Sequence, residues 1–427
     1  MSYNQSDYSK IDLSLIKFSG YLLCFLPFVI LTGPFLPDLF ISIMALIFIY
    51  LSIKYKLIKY YNNNFFKVFS IFYLYLVINS LLSDFNIFSL QSSIVYFRFA
   101  VFAFAVWFLL DTSQKLITKF TVIFFFTFLI ALLDGYVQYF FGHTLFGHVY
   151  DWSRGTVRLR LLLSDKMILG GYLARLLPIL VALIIYNMKA NKLSYAVIFI
   201  LFILSDIIIY VSGERTALGL LFLSSVFLIL LMSKFRLLRI FSLLISILVI
   251  FGITVINPQI KERNVDLTIN QLGIDDDKNE INLFSPSHES HYRSAYKIFL
   301  DNKILGSGVN TFRKLCSNEK YEFNNLSCST HPHNTYLQLL AETGLIGLSI
   351  FLILPIYIIL IVSFHILSMF NLSKYKLEDH QICLLAGISL SVWPLLPTLN
   401  FFNNWINPIY YLPIGIYMYF HYKIKSN

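Results

Sequence analysis

Charged residues are scarce in this sequence: Asp, Glu, Lys and Arg make up 13% of its 427 residues, whereas an average soluble domain carries about 25%. Hydrophobic residues reach 57% and aromatic residues 17%. Apolar runs at or near the ~20 residues that a helix needs to cross a membrane recur along nearly the whole chain. We therefore expect an integral membrane protein whose spans form the protein itself instead of anchoring a separate soluble domain.

Nucleotide-binding and metal-binding motifs are missing as well. The sequence contains no Walker phosphate-binding loop, no dinucleotide fingerprint and no carboxylate-rich metal motif. This argues against ATP and nucleotide sugars as substrates, so any leaving group must arrive already activated. The net charge of +10 does not indicate a nucleic-acid partner, because the lysines and arginines are spread over short loops between the apolar runs.

The apolar runs predict an all-α polytopic membrane protein with about twelve transmembrane helices. Their approximate ranges are 18–33, 35–53, 66–82, 93–110, 118–141, 167–187, 194–211, 216–233, 238–256, 335–364, 381–399 and 406–421. The chain then divides into residues 1–256 with helices 1–9, a large loop subdomain at 257–334 between helices 9 and 10, and residues 335–427 with helices 10–12.

Lysine placement predicts the orientation of these spans. With a cytoplasmic N-terminus, every inside segment is basic, and these segments contain Lys10, Lys17, Lys54, Lys56, Lys59, Lys67, Lys115, Lys119, Lys189, Lys192, Lys234, Arg236, Arg239, Lys374, Lys376, Lys423 and Lys425. The opposite side includes the nearly uncharged turns GPFLPD and NFFNNWINP. Because positive loops stay inside, both termini are expected to be cytoplasmic.

Two outer segments break this rule. One is the stretch 142–160, which carries Arg154, Arg158 and Arg160, and the other is the polar loop 257–333. Arginine on the translocated side is unfavourable for the predicted orientation, so its presence there requires a local explanation. Binding of an anionic ligand is one explanation, and pairing with the phosphates of membrane lipids at the interface is the other.

The loop 257–333 is the only stretch long enough for a subdomain outside the membrane. Its first half is polar and rich in Asn and Asp, which is typical of a mobile or partly ordered loop. Residues 290–300 fit a short amphipathic helix, and a Gly-rich turn follows it. We expect this loop to cover the functional site.

The four cysteines fall into two pairs. Cys24 and Cys383 lie in or beside spans and are simplest as packing residues. Cys316 and Cys328 lie in the outer loop, in an oxidising compartment if the cell is a diderm bacterium, and we predict a disulfide between them. It would stabilise the fold by roughly 3 kcal/mol.

A zinc site is the alternative for these cysteines. Cys316 and Cys328, together with His331 and His333, could supply four ligands, but eleven residues between the cysteines is not a usual zinc-finger spacing. We therefore expect no metal.

Two histidines stand where the polar loop turns into an apolar helix, in the run His331-Pro332-His333-Asn334. Thr330 or Asn334 could cap the helix that starts at 335. The positive end of a helix favours neutral imidazole and attracts phosphate oxygens, so His333 is placed as a general base beside an anion site. The simpler interpretation is an interfacial histidine that hydrogen-bonds backbone or lipid headgroups.

Further charged residues accompany this junction. Glu342 lies nine residues beyond His333, inside an apolar run that ionisable groups avoid unless they face a partner. Arg215, in the run VSGERTALG, opens another span on the same side, and we favour a ligand role for it. For the deeper Arg175 we favour a structural ion pair with a carboxylate, and the candidates are Asp134, Asp165 and Asp206.

The sequence resembles the O-antigen ligase family of bacterial inner-membrane glycosyltransferases. The family pattern of a His-Asn pair followed by two spaced glycines is met by His333, Asn334, Gly344 and Gly347. Arg215 in its SGERTA context and the segment with Arg158 and Arg160 also fit, and which of those two arginines matches is open. The specific part of the resemblance covers residues 155–220 and 290–350.

This resemblance implies a C-type glycosyltransferase that acts at the periplasmic face without cofactor, metal or nucleotide. The donor would be a glycan on undecaprenyl pyrophosphate, and the acceptor a hydroxyl of lipid A-core. His333 would act as the base, while Arg215 and Arg158 or Arg160 would hold the pyrophosphate. The secondary candidates are His331, Asn334, Arg293, Glu342 and Arg175.

Three other functions remain open at this point. An O-antigen or exopolysaccharide polymerase would use a second lipid-linked repeat as acceptor. A protein O-oligosaccharyltransferase is another possibility, although the extra C-terminal soluble domain expected of many such enzymes is lacking. A lipid-linked glycan flippase or exporter should show repeat symmetry and charges that face a central cavity.

Overall fold

The computed structural model describes residues 8–149, 158–272 and 284–426, and its regular elements in these ranges are all helices. The predicted site residue Arg158 is therefore described, whereas Arg154 and the most acidic part of the outer loop lie outside the described residues.

Seventeen α-helices follow one another in the described ranges. The first half contains α1 (Lys10–Val29), α2 (Phe35–Tyr55), α3 (Asn64–Leu81), α4 (Asn86–Ser93), α5 (Phe97–Thr112), α6 (Gln114–Phe141), α7 (Leu169–Met188), α8 (Lys192–Val211), α9 (Arg215–Leu231) and α10 (Arg236–Ile256). The outer loop contains α11 (Pro258–Lys261), α12 (Leu267–Leu272), α13 (Pro286–Asp301) and α14 (Phe312–Leu315). The last part contains α15 (Thr335–Met369), α16 (Asp379–Ser391) and α17 (Ile406–Ser426).

Nine helical segments of the described chain are long and apolar enough to cross a membrane, counting α4 and α5 together as Asn86–Thr112. They are α1, α2, α3, α4 with α5, α6, α7, α8, α10 and α15. Each of the twelve predicted spans overlaps a helix. However, α9 has 17 residues and α16 only 13, which is less than the length required of a candidate span. The all-helical polytopic class is confirmed, whereas a count of twelve spans and the subdomain boundaries at 257 and 334 stay predictions.

The burial of each helix follows from the distribution of its polar residues. α7 is apolar on all sides and is buried over most of its length, in contact with α6, α8, α9 and α16. α10 has the reverse pattern of a helix in a soluble protein, because its buried residues are Arg239, Ser242 and Ser246 while its apolar face is exposed. A helix that faces hydrocarbon needs its polar groups turned inward.

The predicted span 381–399 is wrong in its extent. α16 ends at Ser391, and residues 392–405, which connect it to α17, do not form an α-helix. Pro394 and Pro397 lie in this segment, and proline interrupts helices because it lacks an N–H group and clashes with the preceding turn. Irregular backbone of this kind needs partners from the protein. The amide of Thr398 accordingly donates to the carbonyl of His333 at 2.8 Å.

The predicted span 335–364 lies within α15, a candidate membrane span, but α15 is broken at Gly344, whose φ is 63° and ψ −166°. The outer loop fills the break. Its amides at Ser307 and Gly308 donate to the carbonyls of Ala341 and Glu342 at 3.0 and 2.8 Å. A Cβ at Gly344 would lie 2.3 Å from the carbonyl oxygen of Ile304, so only glycine permits this crossing.

The outer loop has a small core of its own against the first part of α15. Ala295 and Ile298 of α13 cluster there with Phe312, Cys316 and Ala341. Cys316 and Cys328 form a disulfide, with their Cα atoms 4.9 Å apart. The expected short helix near 290–300 is longer than its sequence pattern indicated, because it already starts at Pro286 and is capped by Ser285.

Candidate active site

A cavity of about 480 Å³ lies where the first turns of α7 and α9 meet the outer loop and the segment 392–405. The residues that line it fall into a polar and an apolar group, named here the polar half and the apolar half of the lining. The polar half includes Arg158, Arg175, Glu214, Arg215, Arg263, Thr268, Ser285, His288 and His333. The apolar half includes Ile168, Leu395, Leu396, Pro397, Leu399 and Trp405.

The polar half carries a strong excess of positive charge. Four arginines line it, from three separate parts of the chain, and Glu214 is the one carboxylate among the described lining residues. Such an excess of guanidinium groups suits a ligand with several negative charges, since guanidinium binds phosphate oxygens in a bidentate geometry.

Glu214 ties the loop between α8 and α9 to the beginning of α7. Its carboxylate accepts hydrogen bonds from the amides of Gly170 and Gly171 at 2.7 and 3.3 Å. These amides are orphan donors at a helix start, where a carboxylate is favourable. Burial raises the pKa of Glu214 to about 7, although the Arg158 guanidinium opposes that shift.

The glycine pair at the start of α7 lets the charged groups approach one another. A Cβ at Gly171 would lie 2.9 Å from Nη1 of Arg175 and 3.2 Å from Oε2 of Glu214. A Cβ at Gly170 would lie 2.2 Å from Oγ of Ser212. Larger residues at these two positions would push the loop with Glu214 away from α7.

The expected ion pair of Arg175 with Asp134, Asp165 or Asp206 is not what the structure contains. Asp134 accepts from Gln138 and from the amide of Leu145, while Asp206 binds Arg239 and Asp165 binds Arg160. Arg175 instead lines the cavity beside Glu214 and donates to the carbonyl of Gly171 at 3.1 Å. Its charge therefore belongs to the cavity.

The other predicted arginines separate into two groups. Arg215 and Arg158 both line the cavity, and Nη1 of Arg215 lies 3.4 Å from Oγ1 of Thr268. Arg160 is not among the lining residues and pairs with the exposed Asp165 at 3.4 Å. Arg293 is also outside the lining, because it pairs with Glu289 at 2.6 Å on α13 and stacks on Phe323.

His333 occupies a strained and crowded position at the edge of the cavity. Its φ of 58° is in the left-handed region, and its carbonyl is held by the amide of Thr398. Nε2 of His333 lies 3.2 Å from Oγ of Ser329. Its ring centroid is 4.0 Å from that of His331 and 5.3 Å from those of both His288 and His291.

The surroundings of His333 keep its imidazole neutral. Burial, together with the neighbouring His288 and His291, lowers the pKa of His333 to about 4. Burial also lowers the pKa of His288 and of His291. At neutral pH His333 therefore has a ring nitrogen that can accept a proton, as a general base requires.

His331 has a different environment from its neighbour. Nδ1 is 2.9 Å from Oγ1 of Thr330, and Nε2 is 3.2 Å from the carbonyl oxygen of Thr398. Burial lowers the pKa of His331 to about 3. With both ring nitrogens engaged, His331 fixes the loop before α15 against the segment 392–405.

Asn334 and Glu342 stabilise the junction between the outer loop and α15 through hydrogen bonds with backbone amides. The Asn334 side chain caps α15, accepting from the amides of Tyr336 and Leu337 at 3.0 and 3.1 Å. Glu342 is fully buried on the part of α15 before the break, where it accepts from the amides of Asn310 and Phe312, both at 3.0 Å. It therefore holds the outer loop and does not line the cavity.

Sequence reasoning missed Arg263, His288 and His291. Arg263 follows α11 in a stretch that was assigned to a polar loop, and its Nε donates to the carbonyl of Gly213 at 3.1 Å. His288 and His291 are three residues apart and share a face of α13, but the helix predicted over 290–300 contained only His291. That face is the one turned to His333.

Part of the chain is similar to a known family. Residues 196–352 match a family model described as O-antigen ligase. The matched range contains Glu214, Arg215, Arg263, His288 and His333, whereas no curated protein matches the chain. The match supports a ligase- or polymerase-like function in lipopolysaccharide biosynthesis. Because it covers less than half of the 427 residues, it shows that this membrane protein is similar to the O-antigen ligase family over that range.

Proposed function

We propose that the protein is an O-antigen ligase-like glycosyltransferase of the bacterial inner membrane, with cytoplasmic termini and a periplasmic active site. It moves a glycan from undecaprenyl pyrophosphate to a hydroxyl of lipid A-core, with inversion and without a metal. The observation that carries the proposal is the placement of a neutral His333 at the edge of a cavity lined by four arginines.

The arginines bind the pyrophosphate of the donor. Arg158, Arg175, Arg215 and Arg263 outnumber the single carboxylate of Glu214, so an anionic ligand relieves their mutual repulsion. When the bond between the sugar and the pyrophosphate breaks, negative charge grows on the leaving oxygen. Guanidinium groups held in place before the reaction stabilise that charge in the transition state.

The apolar residues of the cavity fit the lipid part of the donor. Leu395, Leu396, Leu399 and Trp405 line the same cavity as the arginines. A polyprenyl chain loses contact with water against such residues, at roughly 25 cal/mol per Å² of buried apolar surface. One cavity therefore has a place for both ends of a lipid pyrophosphate.

His333 activates the acceptor. The acceptor hydroxyl gives its proton to a ring nitrogen of His333 while its oxygen attacks the anomeric carbon. The bond from that carbon to the pyrophosphate oxygen breaks, and its electron pair leaves with the lipid pyrophosphate. Attack from the face opposite the leaving group inverts the anomeric configuration.

The test is a reconstituted reaction. The purified protein is incubated with undecaprenyl-pyrophosphate glycan and, in separate reactions, with lipid A-core or with excess donor alone. Transfer to lipid A-core supports the ligase. If only the donor is extended, the protein is a polymerase, and that part of the proposal is wrong.

His333→Ala tests the role of the base. Because a positioned base contributes about 10²–10⁴-fold, transfer should fall by at least ~100-fold while the protein stays monodisperse. His148→Ala, which changes an exposed histidine outside the cavity, is the matched control and should keep the wild-type rate. A folded His333→Ala variant with wild-type transfer would refute the mechanism.

A further inference from the structure

A second cavity, of about 700 Å³, lies at the beginnings of α1 and α6 and at the end of α5. It is remote from the candidate active site. α6 has 28 residues, which correspond to ~42 Å at the helical rise. The far end of α6 approaches the active-site side, where Gln138 accepts from the amide of Arg160. The second cavity is therefore at the opposite end of the bundle.

The walls of this cavity are mainly apolar. Leu13 and Ile16 of α1 line it together with Leu116 and Ile123 of α6. Gly20 lets Leu116 approach α1 closely, since a Cβ at this position would lie 3.3 Å from a methyl carbon of Leu116. Such walls offer a slot for a hydrocarbon chain and little for a soluble, polar ligand.

Three lysines, Lys17, Lys115 and Lys119, form the polar rim, and the described lining includes no carboxylate. The two carboxylates nearest in sequence are already engaged. Asp12 accepts from Nζ of Lys54 at 2.7 Å. Asp111 is held by Lys59 and Tyr60. The rim therefore carries three positive charges that these carboxylates do not neutralise.

Apolar walls under a cationic rim match one kind of ligand closely. A long lysine side chain lays its methylene groups on apolar surface and extends its ammonium group to the level of lipid headgroups. Each lysine near an anionic membrane surface contributes about 5-fold to binding. An inorganic phosphate would leave the slot empty, and a zwitterionic lipid would bring no net charge to the rim.

We propose that this cavity binds one anionic glycerophospholipid, with its phosphate between Lys17, Lys115 and Lys119 and an acyl chain between α1 and α6. The bound lipid fastens α1 to α6 at the end of the bundle where their apolar contact is incomplete. The proposal does not depend on the glycosyltransferase activity.

The experiment measures lipid retention by native mass spectrometry of the full-length protein in detergent. Dioleoylphosphatidylglycerol and dioleoylphosphatidylcholine are titrated separately. The wild-type protein should retain one phosphatidylglycerol at least ~10-fold more tightly than phosphatidylcholine. The triple variant Lys17→Gln, Lys115→Gln and Lys119→Gln should lose this preference. Equal retention of the two lipids by the wild-type protein would overturn the proposal.

The matched control removes the same charge from the same end of the bundle. Lys10, Lys67 and Lys192 lie in the first turns of α1, α3 and α8 and do not line the cavity. Their triple change to Gln should leave the preference within about 2-fold. If the control loses as much affinity as the test variant, diffuse surface charge explains the binding and the site is refuted. Size-exclusion profiles establish that each variant is folded.

Discussion

Two groups of arginines and carboxylates differ in their ratio of charges. Between α8 and α10, Nη1 and Nη2 of Arg239 bind the two carboxylate oxygens of Asp206 at 2.8 and 3.0 Å, and both side chains are 1% exposed. In the candidate active site, four arginines share a cavity with Glu214, whose carboxylate is also used by α7. The first group has one carboxylate for its arginine, whereas in the second the proposed function assigns the balancing negative charge to the donor pyrophosphate. The ratio of charges thus distinguishes a structural pair from the site that we propose to bind an anion.

Breaking the complete pair should have the largest effect on stability. Asp206→Ala leaves Arg239 buried without its carboxylate, and removal of one partner of a buried pair costs about 3–5 kcal/mol. Thermal unfolding in detergent measures the change. The control is Asp165→Ala, because that side chain is 93% exposed beside Arg160, and it should change stability by less than ~0.5 kcal/mol. If Asp206→Ala and Asp165→Ala were equally stable, the pair of Asp206 and Arg239 would not be the structural pair described here.

Removal of one cavity arginine should affect activity more than stability. Arg158→Ala should lower kcat/KM for the lipid-linked donor by about 10–100-fold, since a hydrogen bond to a charged group contributes ~1.5–3 kcal/mol. Its unfolding temperature should change little, because Arg158 attracts Glu214 and also repels Arg215. Arg160→Ala is the paired variant and should keep kcat/KM within about 3-fold. A larger loss of kcat/KM in Arg160→Ala than in Arg158→Ala would indicate that the pyrophosphate binds beside Arg160.

The smallest effect expected is a displaced pH profile. A histidine with an ordinary pKa of about 6.5 would lose half of its neutral form at that pH. Because burial lowers the pKa of His333 to about 4, its base form persists as the pH falls. The groups that face it are His288 and His291 of α13 and the adjacent His331.

Glu214, whose pKa burial raises to about 7, would titrate within the same range, so the profile is measured in the Glu214→Gln background, where it should stay flat from neutral pH to about pH 5 and fall below it. The measurement is kcat/KM for the donor, which reports groups of the free enzyme. A midpoint near the ordinary histidine value would show that the unliganded cavity leaves His333 open to solvent, and the contrast between a buried base and exposed histidines would fail.

The sequence predicted the helices and several residues of the cavity well. Hydropathy located the helices because each apolar run is long, and the spacing from His333 to Gly344 and Gly347 indicated the family. Arg158 and Arg215 were found because arginine on the translocated side opposes the expected topology. Their assigned roles stay predictions.

The rest could not be predicted because it depends on irregular backbone. Arg263 lies in a short π-helical segment after α11 and His288 in the first turn of α13, before the stretch whose pattern predicted a helix. Arg175 had several equivalent carboxylates in the sequence, and only the three-dimensional contact with the loop around Glu214 distinguishes its neighbour. A glycine inside an apolar run can mark either a face for close helix packing or a break in the helix. The spacing of Gly344 and Gly347 in the sequence does not distinguish these two structures.

The break at Gly344 has a consequence for the order of assembly. Residues 303–308 leave the ribosome before residues 341–346, yet the two segments satisfy each other's backbone groups through Ser307, Gly308 and Leu345. The loop therefore cannot finish folding until α15 has been synthesised and its broken turn is available. Insertion of this late helix completes the candidate active site, so a chain truncated before Gly344 would contain all four arginines of the cavity but lack the broken turn that the outer loop binds.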